Sequence, residues 1–361
     1  MNSPDGRAAW KTTRRCFLGT TVAIGLSAVL PDAVSSLLLR DRSARLPGEQ
    51  PTALVYDDVS KCHVGGANRP ECPQRYDALV DSLRKNAWFS GLKPYQARAA
   101  SDAEILACHR EGYLAKARRE IESGVNKLST GDTYVCQDSL KAAYYASGAA
   151  CVGVDAVFGG RAKNAFCLAR PPGHHATADR GMGFCIFNNA GIAARYAQRE
   201  YGVGKVLIID WDVHHGNGTQ DIFYEDGSVY YFSTHESPWY PWTGTKEETG
   251  RGKGLGTTMN CPMARGAGRR EFMPAFERLA EAADGFHPEL LIISAGFDAR
   301  HGDPLGRFEL TDEDYVELTA FVLDIARRQA GGRLVSILEG GYSIAGLASA
   351  ATAHCGRLQL G

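Results

Sequence analysis

Little in this 361-residue sequence is extreme. Its formal net charge is only −1, from 40 basic and 41 acidic residues, and it has no long run of like charge. That balance excludes the basic footprint expected of a nucleic-acid-binding surface. None of the ten cysteines forms a C-x-x-C pair, so neither a zinc ribbon nor a disulfide framework is legible. No apolar run is long enough for a good membrane span. Residues 50–361 contain no internal repeat and no low-complexity linker. What remains is an ordinary globular composition, 44% apolar and 22% charged, in a chain long enough to bury a large core.

The first 45 residues differ from the rest. Thr13-Arg14-Arg15-Cys16-Phe17-Leu18-Gly19 precedes the short, glycine-containing apolar stretch Thr20 to Leu30. A basic start followed by such a stretch reads as an export signal, and the paired arginines resemble a twin-arginine signal. The expected organisation is therefore a signal and linker over 1–47 and one catalytic domain over 48–361, with a periplasmic or exported location. Cys16 falls in that signal. Cys167 and Cys185 sit in apolar runs and read as core residues. Cys62 and Cys72 flank a loop and are candidates to pair in an oxidising compartment.

Short apolar runs alternate with helical patterns along the remainder. The runs are 53–56, 165–169, 206–210, 229–233, 290–294 and 334–338; the helical stretches lie around 75–85, 139–158, 189–200, 270–284 and 312–329. Alternation of this kind predicts an α/β fold with a central parallel sheet flanked by helices on both faces. In such sheets ligands bind beyond the carboxyl ends of the strands. Four of these ends carry unusual loops: "RPPGHHA" at 170–176, "DWDVHHGNG" at 210–218, "AGFDARHGDPLG" at 295–306 and "EGGY" at 339–342. One polar loop is unremarkable, but four converging on one edge point to chemistry.

Asp212 and His214 are spaced i, i+2, which on an extended segment aims both side chains the same way. A third carboxylate, Asp298, completes an Asp-His-Asp set. Three protein ligands with a position left open mark a catalytic zinc site. Asp210 reads as a support for that set. His174 and His175 follow a rigid Pro-Pro-Gly approach; paired histidines could also be metal ligands, but with three better ligands already placed they suit acid–base work near neutral pH. Tyr342 follows two glycines; a tyrosine in that setting is usually a packing residue, but its phenol could also hydrogen-bond a developing oxyanion.

With these motifs in hand, residues 53–345 resemble the histone deacetylase and acetylpolyamine amidohydrolase family. The matched motifs are "RPPGHHA", "GFCIFNN", "DWDVHHGNGTQ", "SAGFDA", "GDPLG" and "EGGY", and the variants are closest to class II and bacterial deacetylase-like enzymes. The resemblance implies a single-domain arginase–deacetylase fold and a zinc-dependent amidohydrolase that removes acetyl or other acyl groups from acyl-lysine-type amides. It makes Asp212, His214 and Asp298 the zinc ligands, His175 the general base and acid, and His174 its electrostatic partner. Asp210 would orient His174, and Asn217 would orient His175 without adding charge, leaving it less basic than an aspartate would. Tyr342 would stabilise the tetrahedral intermediate. Gly183, Phe184 and Tyr240 correspond to the walls of a narrow acyl-lysine tunnel, and Leu305 to the position that selects the amine side. Asp210, Asp212, His214, Ser233 and Thr234 match a monovalent cation site, for which potassium is expected. The expected partner is a peptide or small-molecule acyl amide, with no nucleic acid and no stable membrane span; homo-oligomerisation is left open.

One departure concerns the tunnel entrance, where relatives usually carry a histidine and this chain has "ANRPECPQR", with Arg69 before Pro70-Glu71. Three rival readings are weighed against the residues. Arginase-like enzymes with two manganese ions need a further Asp after Asp212-Val213-His214-His215 and another after Asp298-Ala299; the chain has Gly216 and Arg300. An acetylpolyamine amidohydrolase is the nearer alternative, for which Glu71 or Glu236 could meet a cationic substrate. A non-catalytic acyl-ligand receptor is opposed by the complete set of histidines, ligands and Tyr342.

Overall fold

A computed structural model describes residues 50–361. The expected export signal, over 1–47, lies outside them. Eight strands form one all-parallel sheet: β1 (Thr52–Tyr56), β2 (Lys93–Gln96), β3 (Asn164–Cys167), β4 (Val206–Asp210), β5 (Val229–Glu236), β6 (Thr258–Met263), β7 (Leu290–Ala295) and β8 (Leu334–Leu338). Their order across the sheet is β2-β1-β3-β8-β7-β4-β5-β6. The strands that carry the loops of interest, β3, β8, β7 and β4, are consecutive at its centre, so the four loops emerge side by side.

Strand alternation explains the layering. Leu54, Phe166, Leu207, Ile209, Phe232, Leu291 and Ile293 face one buried cluster, packed by α1 (Pro73–Arg84), α7 (Arg269–Phe286), α8 (Asp312–Gln329) and α9 (Ile344–Leu360). Their neighbours Val55, Cys167, Val206, Ile208, Tyr231 and Ile292 face a second cluster under α4 (Ser139–Phe158), α5 (Asn189–Tyr201) and α6 (Asn217–Phe223). Both faces being covered is why the central strands read as unbroken apolar runs. Two further helices, α2 (Asp102–Ile105) and α3 (Glu111–Glu122), complete the set among the described residues.

Local chemistry fixes the ends. Thr311 caps α8 by accepting the Asp314 N–H; Asp312, Glu313 and Asp314 crowd its first turn, and Arg327 and Arg328 its last, complementing the helix dipole. Asn188 caps α5 by accepting from Gly191. Ser343 caps α9 in the same way through Gly346, which anchors the chain immediately after Tyr342.

Several expectations change in detail. β3 ends at Cys167, two residues before the apolar run does, and β5 continues through Glu236, so Ser233 and Thr234 lie within a strand. β4 stops at Asp210, so residues 212–214 form a turn instead of a continued strand. Cys62 and Cys72 are both free thiols; Cys136 instead donates its S–H to the Cys62 carbonyl, at 3.2 Å.

Candidate active site

The turn after β4 brings Asp212 and His214 together by a different route from strand periodicity. The His214 N–H donates to Asp212 Oδ1 at 2.9 Å, closing a local Asx-type turn. Asp298, three residues beyond β7, reaches the same point. Asp212, His214 and Asp298 are buried and each offers a ligand atom within 4.8 Å of the others. His214 Nδ1 lies 3.0 Å from Asp212 Oδ1 and 3.2 Å from Asp298 Oδ2. Asp298 Oδ2 nevertheless has no hydrogen-bond partner, and a buried orphan carboxylate oxygen is costly. One nitrogen and two carboxylates around an unsatisfied oxygen are the donor set that zinc takes. Burial, then the charge of Asp212, pushes the Asp298 carboxyl up to about 7. Burial depresses the His214 imidazole, but its bond to Asp212, its close approach to Asp298 and the charges of both carboxylates outweigh this and hold it at about 10. Two carboxylates are thus held close together out of water, with one imidazole between them. Gly340 is part of the construction, because a Cβ there would stand 2.1 Å from Asp298 Oδ2 and 2.6 Å from Asp212 Oδ2.

The paired histidines flank this cluster. His174 Nδ1 lies 3.0 Å from Asp210 Oδ2, and His175 Nδ1 lies 2.8 Å from Asn217 Oδ1. The amide oxygen can only accept, so the proton sits on His175 Nδ1 and Nε2 is left as a base. The two rings are 4.0 Å apart, and the His175 ring is 5.8 Å from that of His214. Burial lowers the affinity of His174 for a proton, but the charges of Asp212 and Asp210 win and raise it well above the ordinary histidine value. Burial, and then the positive charges of His174 and His214, hold His175 well below that value. The pair thus separates into one histidine that keeps its proton and one that offers a lone pair. Glu339 fixes their backbone, accepting the N–H of Gly173 at 2.6 Å and of His174 at 3.2 Å. Sequence reading missed Glu339; its place directly before Gly340 was the available signal.

The residues expected to line a tunnel lie close to the histidines and Tyr342. The Tyr240 ring stands edge-on to His175 at 5.2 Å, and Phe184 lies 5.5 Å from Tyr342. Gly183 and Phe184 are consecutive left-handed residues, with φ of 57° and 67°, and a Cβ on Gly183 would meet the His175 ring at 2.2 Å. Asp132, also missed, accepts the Gly183 N–H at 2.7 Å and the Tyr240 hydroxyl at 3.3 Å, so it ties these two segments together. Burial drives the Tyr342 phenol well above its ordinary value, and it remains a protonated donor at neutral pH. Leu305 is half-buried in the loop that follows Asp298.

Of the residues expected to bind a monovalent cation, Asp210 and Ser233 are register partners on β4 and β5. Asp212 and His214 lie two and four residues after Asp210, and Thr234 follows Ser233. Glu71 and Glu236 are removed from any role with a cationic substrate. Glu71 is buried between Arg75 and Arg170, and Glu236 is buried against Arg307. Buried carboxylates need such partners, and these two already have them.

Residues 69–358 match the family model for the histone deacetylase domain. The chain is 39% identical over 297 residues to Histone deacetylase 10, chloroplastic, of Oryza sativa subsp. japonica, covering 78% of this chain and 67% of that protein. It is also 39% identical over 282 residues to the Histone deacetylase-like amidohydrolase of Pseudomonas aeruginosa, covering 77% of this chain and 73% of that protein. Polyamine deacetylase HDAC10 of Rattus norvegicus is 38% identical over 301 residues, covering 80% of this chain but 49% of its own length. Among solved structures, the HDA15 HD domain superposes with a TM-score of 0.81 at 37% identity, covering 86% of this chain and 90% of that one. The chain belongs to the histone deacetylase family, hydrolases that act on acetyl amides.

Proposed function

We propose that this protein is a zinc-dependent amidohydrolase that removes acetyl or other acyl groups from acyl-lysine-type amides. The observation that carries the reading is the orphaned Asp298 Oδ2 within the Asp212–His214–Asp298 cluster, flanked by a basic His175 and a protonated Tyr342. Asp212, His214 and Asp298 would hold the ion. When bound, zinc polarises an amide carbonyl and makes water more acidic. His175 Nε2 accepts the proton of the attacking water, and Asn217 keeps that nitrogen free by accepting from Nδ1. The Tyr342 hydroxyl donates to the oxyanion as the carbonyl carbon becomes tetrahedral. His175 then delivers its proton to the leaving amine, while His174, held protonated by Asp210, stabilises the negative charge that develops beside it. Hydrolysis of a fluorogenic acetyl-lysine amide tests the reading: turnover lost in His175→Ala supports it, and equal turnover in that variant contradicts it.

We also infer a potassium ion held by Asp210, Asp212, His214, Ser233 and Thr234, in part through backbone carbonyls. The register pairing of Asp210 with Ser233 supports it. Export follows from the paired arginines. Replacing both, Arg14→Lys with Arg15→Lys, is expected to retain the protein in the cytoplasm; equal recovery of both forms outside it would refute a twin-arginine route.

Acetylpolyamine hydrolysis is the second reading, favoured by the similarity to the rat polyamine deacetylase. Against it, Leu305 offers no charge to a secondary ammonium, and Glu71 and Glu236 are already paired with arginines. Leu305→Glu should raise kcat/KM for N-acetylspermidine relative to acetyl-lysine by roughly tenfold, the scale of one hydrogen bond to a charged group. A wild-type preference for the polyamine of that size would reverse the assignment.

A further inference from the structure

Leu305 is held at both of its backbone atoms. Its N–H donates to Asp303 Oδ1 at 2.9 Å, and its carbonyl accepts from the indole Nε1 of Trp239 at 2.9 Å. The second oxygen of Asp303 accepts the N–H groups of Tyr342, at 2.6 Å, and Ser343, at 2.8 Å. Trp239 immediately precedes Tyr240, whose ring faces His175. The loop of residues 302–306 therefore bridges the backbone of Tyr342 to the segment that carries Tyr240. Among the described residues, the Trp239–Leu305 bond is the hydrogen bond that joins segment 237–244 to segment 302–306.

The indole is itself clamped. The Arg307 guanidinium carbon lies 3.6 Å from its ring centroid, a stacked cation–π geometry. Arg307 forms an ion pair with the buried Glu236, and its N–H donates to Glu236 Oε2 at 3.2 Å. Glu236 is the last residue of β5, so the clamp is rooted in the sheet. A planar guanidinium both stacks and pairs with a carboxylate, which an ammonium does not do equally well.

We propose that Trp239 is a positioning residue that fixes the distance between Leu305 and Tyr240, and thereby restricts the site to amides with a slender amine side. The inference rests on the proposed amide hydrolysis. Trp239 acts through Leu305 and does not itself touch the reacting atoms. A narrow passage selects by excluding width, and the selection fails when one wall is free to move.

Two variants separate this role from a merely structural one. Trp239→Phe keeps an aromatic ring under Arg307 and removes the N–H donor together with the indole's second ring. Arg307→Lys keeps a charge beside Glu236 and loses the flat stack. Each is assayed on acetyl-lysine amide and on an acetyl amide whose amine carbon is branched, with zinc content and melting temperature measured alongside. The ratio of kcat/KM, slender over branched, should fall roughly two- to tenfold in Trp239→Phe, the range of one neutral hydrogen bond. The change should lie mainly in KM, with a smaller effect of the same sign in Arg307→Lys. An unchanged ratio in active, zinc-loaded variants, or an equal loss on both substrates, overturns the inference alone. A wild-type protein that hydrolyses neither amide overturns the proposed reaction, and the positioning role falls with it.

Discussion

Asp298→Ala is expected to abolish hydrolysis of acetyl-lysine amide and to strip the protein of its metal. The reason lies in the donor count. Asp212, His214 and Asp298 converge from the ends of two strands, and Asp298 Oδ2 has no other partner. Removing it leaves two ligands, one short of the three that catalytic zinc sites use. The lost Lewis-acid stabilisation amounts to several kcal/mol, so kcat/KM should fall by about 10³ or more. Asp298 Oδ1 accepts the N–H of buried Val213 at 2.9 Å, so the substitution also leaves that donor unpaired, and the melting temperature of the metal-free protein should fall modestly while the chain still folds. Metal content and melting temperature measured together check both halves. Near wild-type turnover with a full complement of zinc in Asp298→Ala would remove this residue from the site.

Tyr342→Phe has the second largest expected effect. Its phenol is buried and protonated and sits at the N-terminal edge of α9, with its backbone N–H fixed by Asp303. Loss of one oxyanion donor typically costs about 10²–10³ in kcat. Zinc content should stay at the wild-type level, because Tyr342 is not a ligand. KM should change much less than kcat, since the oxyanion develops only in the transition state. An effect confined to KM would show that the hydroxyl binds substrate without assisting the reaction.

The central strands and the motif-bearing loops were legible in the sequence because both faces of the sheet are covered. Val206–Asp210 and Leu290–Ala295 are buried throughout, so their apolar runs are unbroken. The edge strands gave no such signal: Lys93–Gln96 is largely exposed, and Thr258–Met263 mixes Asn260 and Pro262 into its run. Helix α9 escaped notice for the opposite reason. It is rich in alanine and glycine and packs against both α1 and α8, which blurs any single apolar stripe. Helix α6 was hidden because it opens inside "HHGNG", where glycines read as loop.

The site residues were legible through motifs, but their geometry was not. Strand spacing pointed to Asp212 and His214 as neighbours, whereas a turn closed by Asp212 Oδ1 places them. Glu71 looked available in sequence, and only the fold shows Arg75 and Arg170 enclosing it. Contacts of this kind join residues far apart in the chain, such as Gly173 with Glu339 or Trp239 with Leu305, and no local pattern encodes them.

The most direct measurement of the central claim is a zinc titration of chelator-stripped protein, followed by hydrolysis of acetyl-lysine amide. The account predicts no turnover without metal, a linear rise that saturates at one zinc per chain, and no rise at any zinc concentration in Asp298→Ala. Turnover by the stripped protein, or saturation only at two ions per chain, would contradict it.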